Sequence, residues 1–329
     1  MGYVYGLLAA VLFGANGSLT KVILETGVTP AQLTFMRVTA VMLIAGAVLL
    51  ATDRKAFRLS RRQLATMAVL GIAGVAMLQF CYALALNLLP VGIALLFEYL
   101  AVPAVAVIAY FFFKEEVKPR LWVAIAAVLG GMAVVSQIWA SSLSALGILF
   151  ALAAAAALTL YFIVGERQVG TTSPMAVAFW SMLFACGFWA VFSGWWEMDL
   201  SGFGQQVSLG GNLAGFSLQL FIPLGASLIG GSFFSFYFSF KALSHLPATA
   251  AGIVAASEVI FAFVVAWLWL GEALTVGQML GALLVLAGII LAQTARPGKV
   301  LDLDLAMRQP TTRIRSFPAR RHRESIDRP

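Results

Sequence analysis

Apolar residues run along this chain in long blocks, and the short stretches between them hold nearly all of its charge. Ten blocks are long enough to cross a bilayer as helices of about 20 residues: 3–23, 33–51, 64–86, 92–113, 121–140, 146–165, 175–196, 219–242, 249–270 and 277–294. The first has the length of a signal peptide. It lacks a basic leading region, however, carries Asn16 in its middle and runs into a second span, so it is expected to be mature structure.

Two of the blocks repeat each other. Ala85-Leu86-Asn87-Leu88-Leu89-Pro90 leads through an apolar helix to Lys114-Glu115-Glu116, and Ala242-Leu243-Ser244-His245-Leu246-Pro247 leads in the same way to Gly271-Glu272. The offset is 157 throughout, and nine of the 31 positions from 85 to 115 are identical without a gap. Ala and Val matches come cheaply in so apolar a chain, but the Pro-to-Glu spacing does not, which points to an internal duplication. A weaker echo links Gly6-Leu-Leu-Ala-Ala to Gly147-Ile-Leu-Phe-Ala, and Thr29-Pro30 with Phe35 to Ser173-Pro174 with Phe179.

Composition agrees with the spans: 61% of the 329 residues are hydrophobic and 11% charged, far from the soluble values of about 45–50% and 25%. The net charge of +7 suggests a nucleic-acid partner only until it is located. Nine basic and four acidic residues lie in the tail 296–329, which has no apolar period and is expected to be disordered, resting on anionic lipid headgroups. Of the other basic residues, five fall in 53–62, three in 114–120 and one each in 166–174 and 241–248, whereas the alternate connections have none. Lys21 and Arg37 are the exceptions. By the positive-inside rule both termini are expected in the cytoplasm. The third span then leaves the cytoplasm while its counterpart, the eighth, returns to it, which is the plan of an inverted-repeat transporter with a site near the midplane.

A Pro-opened span ending in Glu, seen twice, together with Phe35-Met36-Arg37 in the second span, resembles the drug/metabolite transporter superfamily, EamA type. The resemblance covers 3–295 as two five-helix units, 3–140 and 146–295, and excludes the tail 296–329. Within the superfamily the chain is most similar to YddG-type amino-acid exporters. That resemblance implies export of amino acids, aromatic and neutral ones among them, from the bacterial cytoplasm. It also implies a cavity lined by spans three, four, eight and nine, with one and six contributing. Two positions depart from symmetry: Ser181 stands where Arg37 has its counterpart, and Lys114 where the second copy has Gly271.

Of the fourteen acidic residues, only Glu98 and Glu258 lie well inside spans. An ionisable group at that depth costs at least about 2.5–3.5 kcal/mol and is expected to face the bundle interior or water. Glu98 corresponds to Ala255 and Glu258 to Ala101, so the two carboxylates leave equivalent faces one turn apart. Each is either a contact for a substrate ammonium or proton, or a structural carboxylate bonded to a neighbouring helix or to Arg37. Gln79 and Tyr82 share one stripe of span three, and Tyr99 follows Glu98. Ser232, Phe236 and Ser239 belong to an aromatic, hydroxyl-bearing run in span eight, and Ser257 precedes Glu258. Such a wall would hold an apolar side chain while hydroxyls meet the polar end; the competing reading is helix packing. Asn16 is either a substrate contact or interhelical glue. Arg37, placed about one turn inside its span, is expected to snorkel outward as an anchor. Pro103 removes a backbone hydrogen bond in span four, and the kink is either a gate or a packing irregularity. Pro90 and Pro247 open helices, and Glu115 and Glu272 are expected to be solvated or to cap.

Cys81 and Cys186 lie in apolar runs and read as packing residues; with two His in all, no metal site and no cofactor are expected. No Walker A loop is present, and the connections offer no polar acid–base clusters, so neither a primary pump nor an intramembrane enzyme is expected. The expectation is an all-α polytopic inner-membrane exporter, monomeric, with ten transmembrane helices in two inverted five-helix repeats around a central cavity, working by alternating access. A rival in the same superfamily is a drug or other metabolite exporter. Coupling to protons and running down the substrate's own gradient stay open.

Overall fold

The computed structural model describes residues 1–101, 103, 104, 107, 108, 119–135, 143–198, 200–246 and 248–295. Its helices are α1 (Gly2–Leu24), α2 (Pro30–Thr52), α3 (Arg61–Leu86), α4 (Val91–Glu98), α5 (Arg120–Val135), α6 (Ala145–Val169), α7 (Pro174–Phe192), α8 (Phe221–Leu243), α9 (Ala248–Val265, continued by a π-helical turn Ala266–Leu270) and α10 (Val276–Ala295). Among the described residues six of them, α1, α2, α3, α6, α7 and α8, are long and apolar enough to cross a membrane, and shorter apolar helices accompany them. Glu115, Pro247, the end of the expected fifth span and the tail lie outside the described residues.

Helix starts follow from local chemistry. Thr29 with Gln32, Ser60 with Gln63 and Thr275 with Gln278 each form a reciprocal capping box at the head of α2, α3 and α10. Ser144 and Ser173 cap α6 and α7 on the N–H of the third residue in. Pro30 and Pro174 sit at the first helical position, where no N–H is needed. The connection before α8 departs from the all-α expectation: it holds a two-stranded hairpin, β1 (Gln206–Ser208) and β2 (Ser217–Gln219), with Val207 opposite Leu218.

Helix α1 is the packing spine. Gly2, Gly6, Ala10, Gly14 and Ser18 recur every four residues and are all buried, the spacing that lets helices approach closely without a hydrophobic driving force. A Cβ at Gly14 would stand 2.9 Å from the backbone of Glu258 and Ala262, so α1 and α9 touch main chain to main chain there.

The two halves repeat each other in detail. Both α3 and α8 widen into a π-helix, over Leu70–Ala76 and Ser227–Phe234, and these segments start 157 residues apart. Where α5 crosses α10, Gly131 lies against Gly281 and Val285, while Gly288 lies against Ala124 and Val128. Each pair maps onto the other by the same offset with roles exchanged, which is how a two-fold contact reads. Gly2 packs on His245 and Leu246 as Gly147 packs on Leu88 and Leu89. The start of α6 therefore matches Gly2 rather than the Gly6 suggested by sequence.

Span four is not one continuous helix. The α-helix stops at Glu98, Tyr99 and Leu100 form a turn, and helical geometry resumes at Ala101. The interruption sits four residues before Pro103, because a proline cannot donate to the carbonyl of residue i−4, here Tyr99. Leu100 instead bonds back to Phe97, tightening the turn.

Candidate functional site

The π segment of α3 ends just before Gln79 and Tyr82, and the break in α4 falls directly after Glu98. Both irregularities therefore deliver polar side chains into the same place. Around it lies a cavity walled by residues of α1, α2, α3, α4, α6, α8 and α9.

One side is aromatic. Phe13 of α1 meets Phe236 of α8 edge to face at 5.0 Å between centroids, and Tyr161 of α6 packs against Phe236, Phe162 and Phe240. The Tyr161 hydroxyl donates to Ser239 at 2.9 Å, so the only polar atom of this wall is anchored to α8.

The other side carries charge. Arg37 of α2 is 2% exposed. Its Nε and Nη2 donate to Ser227 Oγ at 3.2 and 2.8 Å, and Nη2 also donates to Thr20 Oγ1 at 2.5 Å and to Asn16 Oδ1 at 3.4 Å. Ser227 in turn donates to Asn16 Oδ1, and Asn16 Nδ2 donates to the carbonyl of Gly231. The backbone at Gly231 comes so near Asn16 that any side chain there would overlap its amide. Asn16 thus binds α1 to α8 and faces the cavity as well.

Across the cavity, Tyr99 donates its hydroxyl to Glu258 Oε2 at 2.7 Å, tying α4 to α9. Glu98, 6% exposed, has no hydrogen-bond partner among the described residues, and its Oε2 is fully enclosed. Gln79 Nε2 and the Tyr82 hydroxyl are likewise enclosed without partners among the described residues. The Tyr82 hydroxyl lies against Gly17, where a Cβ would stand 2.6 Å away.

Of the residues singled out from sequence, the structure brings Asn16, Gln79, Tyr82, Glu98, Tyr99, Phe236, Ser239 and Glu258 to this one cavity. Ser232 is buried without reaching the lining, and Ser257 donates to the carbonyl of Val254 in its own helix. Pro103 is not among the lining residues; the break lies four residues upstream, at Tyr99, which is. Arg37 corrects an expectation: it turns inward instead of snorkelling. The capping box starts α2 at Pro30, three residues earlier than the apolar block, which leaves Arg37 two turns deep. Tyr161 went unmarked because its immediate neighbours, Leu160 and Phe162, are apolar and no ionisable residue lies near it in its span.

Of the two readings of Glu272, solvated or capping, the structure shows the capping one. Glu272 pairs with Lys21 at 2.5 Å and accepts from the backbone N–H of Val91 at 2.9 Å, capping α4 from the far end of α9. Close packing continues there, with Phe263 seated on Gly92 and Val91 on Gly17. The cavity lining runs the other way, from Asn16 and Arg37 toward Gly6, Leu243 and Ala251. The Lys21–Glu272–Val91 end is thus pinned by charge and packing. No group of three or more His, Cys, Asp or Glu that could hold a metal occurs among the described residues.

The model of the EamA-like transporter family matches residues 1–137 and again 145–294, one copy on each half. The chain belongs to this family. The EamA chain is therefore a multi-pass membrane transporter of the drug/metabolite superfamily, and the two-fold contacts above are its two family units meeting. Its fold is shared with solved structures: one crystal structure superposes with a TM-score of 0.62 at 20% identity, over 88% of this chain and 96% of that one. No curated protein matches the EamA chain in sequence.

Proposed function

We propose that this EamA transporter exports amino acids, aromatic and neutral ones among them, from the bacterial cytoplasm across the inner membrane by alternating access. In this reading ten helices span the membrane as two inverted repeats, with both termini cytoplasmic. The carrying observation is the divided cavity: an aromatic wall of Phe13, Tyr161 and Phe236 faces a polar set that includes one cation and two carboxylates. An amphipathic metabolite with a planar or apolar side chain complements such a division. Two carboxylates against one cation disfavour polyanions such as nucleotides. The pinned end at Lys21, Glu272 and Val91 corresponds to the outer side, so the cavity faces the cytoplasm, ready to load. Pro103, through the turn at Tyr99, supplies the hinge for the swing of α4.

The test is flux of radiolabelled amino acids from liposomes holding the purified protein, with and without a pH gradient. Saturable flux that phenylalanine competes for is expected, lowered about tenfold or more in Tyr82→Ala, since an anchoring contact of a few kcal/mol is removed. A response to the gradient identifies proton coupling; indifference to it identifies a facilitator. No flux of any amino acid from folded protein overturns the reading and moves the search to other metabolites of the superfamily.

A further inference from the structure

We infer that the cavity holds its substrate as a zwitterion in one fixed orientation, with the substrate carboxylate on Arg37 and its ammonium on Glu98. This rests on the cavity being the substrate site. It concerns which groups of the chain read which end of the ligand.

Arg37 is a buried cation without an anion. Its described partners are the neutral oxygens of Ser227, Thr20 and Asn16, and its Nη1 makes no hydrogen bond. No ion pair joins it to Glu98 or Glu258. A charge taken out of water costs several kcal/mol unless a counter-charge and hydrogen bonds replace the solvent. The neutral oxygens take up Nε and both hydrogens of Nη2, which leaves Nη1 as the donor for a ligand in the cavity that Arg37 lines. A carboxylate accepts from Nη1 and supplies the missing counter-charge.

Glu98 is the reciprocal case. Its carboxylate lines the same cavity with no donor among the described residues, whereas Glu258 is already held by Tyr99. An ammonium brings three donors. One serves Glu98, and the hydroxyl of Tyr82, a residue of the same lining, accepts another. Gln79, whose Nε2 is an enclosed donor without an acceptor, complements the substrate's carboxylate or carbonyl oxygen. Every unpartnered polar atom on the lining thus finds its complement in an α-amino acid, and the side chain falls toward Phe13, Tyr161 and Phe236. A plain amine leaves Arg37 unanswered, and a plain acid leaves Glu98 unanswered. Leaving a buried polar group unpaired rejects a ligand far more strongly than a change of size does.

Three ligands with one side chain separate the two ends: phenylalanine, 2-phenylethylamine and 3-phenylpropanoate. Binding to purified protein is read by ligand-induced thermal stabilisation, and flux by competition in the liposomes. Wild type is expected to prefer phenylalanine over either truncated ligand by about tenfold or more, the range of a hydrogen bond to a charged group. In Glu98→Gln, phenylalanine and 2-phenylethylamine weaken while 3-phenylpropanoate holds or improves. In Arg37→Gln, phenylalanine and 3-phenylpropanoate weaken while 2-phenylethylamine holds. Should Arg37→Gln not fold, Arg37→Lys replaces it, retaining the charge and losing the Nη1 donor, with the same sign expected at smaller size. Equal weakening of all three ligands in a folded variant, or no weakening, overturns the orientation. Absence of amino-acid flux in wild type would instead overturn the substrate reading beneath it, so the two failures are told apart.

Discussion

At the scale of single residues, the clearest dependence is that of Asn16 on Gly231. The amide of Asn16 serves α8 only because residue 231 has no side chain, while Gly230 beside it has open space. Gly231→Ala is expected to lower stability by about 1–3 kcal/mol, the usual cost of overpacking, and Gly230→Ala by far less. Thermal unfolding in detergent checks the pair. The Tyr99–Glu258 bond yields a second expectation. Tyr99→Phe removes the donor from a carboxylate inside the bundle, so Tyr99→Phe and Glu258→Gln should be non-additive, with a coupling of about 0.5–3 kcal/mol in a double-mutant cycle. Additive effects would mean that the bond carries no energy. The sequence makes Glu98 and Glu258 conspicuous because they are acidic and deep, and both are found on the cavity. It hides Arg37 for a simple reason: an apolar block does not show where the helix inside it begins. The Thr29–Gln32 box sets that start, and three residues of depth turn a snorkelling anchor into a buried charge.

At the scale of elements, Glu272 joins three pieces of chain: the turn after α9 that carries it, Lys21 of α1, and the first N–H of α4. If this junction holds one end of the cavity closed, loosening it should expose neighbouring α1. Ser18 is fully buried in α1 near Lys21. A Ser18→Cys probe, in a background lacking Cys81 and Cys186, should react with a water-soluble thiol reagent several-fold faster when Glu272→Gln is added. Equal rates would show that packing of Phe263 on Gly92 closes this end unaided. The helix start at Pro90 was legible, whereas Ser173-Pro174 and Thr29-Pro30 were read only as echoes of each other and not as starts. The interruption of α4 was only half legible, since Pro103 announces a kink while its effect falls four residues upstream, at Tyr99. Nothing in composition marks the π segments.

At the scale of the whole molecule, the crossing of α5 and α10 makes a symmetric prediction. Gly131 and Gly288 occupy corresponding places in one self-complementary contact. Gly131→Leu and Gly288→Leu should therefore cost similar stability, and Gly130→Leu, which faces open space, almost none. Unequal losses on unfolding would show that the contact is two-fold in geometry but not in energy. The duplication itself was legible wherever its residues are rare, as at Pro90 and Pro247, and blurred where the halves share only small residues, so that Gly6 stood in for Gly2.

The matching π segments of α3 and α8 bear on how this protein came to be. A π-helical stretch is an α-helix carrying a surplus residue, and one such surplus arising separately at the same register in two halves would be a coincidence. Its recurrence 157 residues on places the insertion in a single ancestral half, before the gene doubled. It also forecasts a tolerance that no alignment of charges would reveal. Removing one residue between Leu70 and Ala76 should let α3 close up as an ordinary helix and keep Gln79 and Tyr82 facing inward. The same deletion at Met77 or Leu78, past the π segment, would swing both away through about 100°.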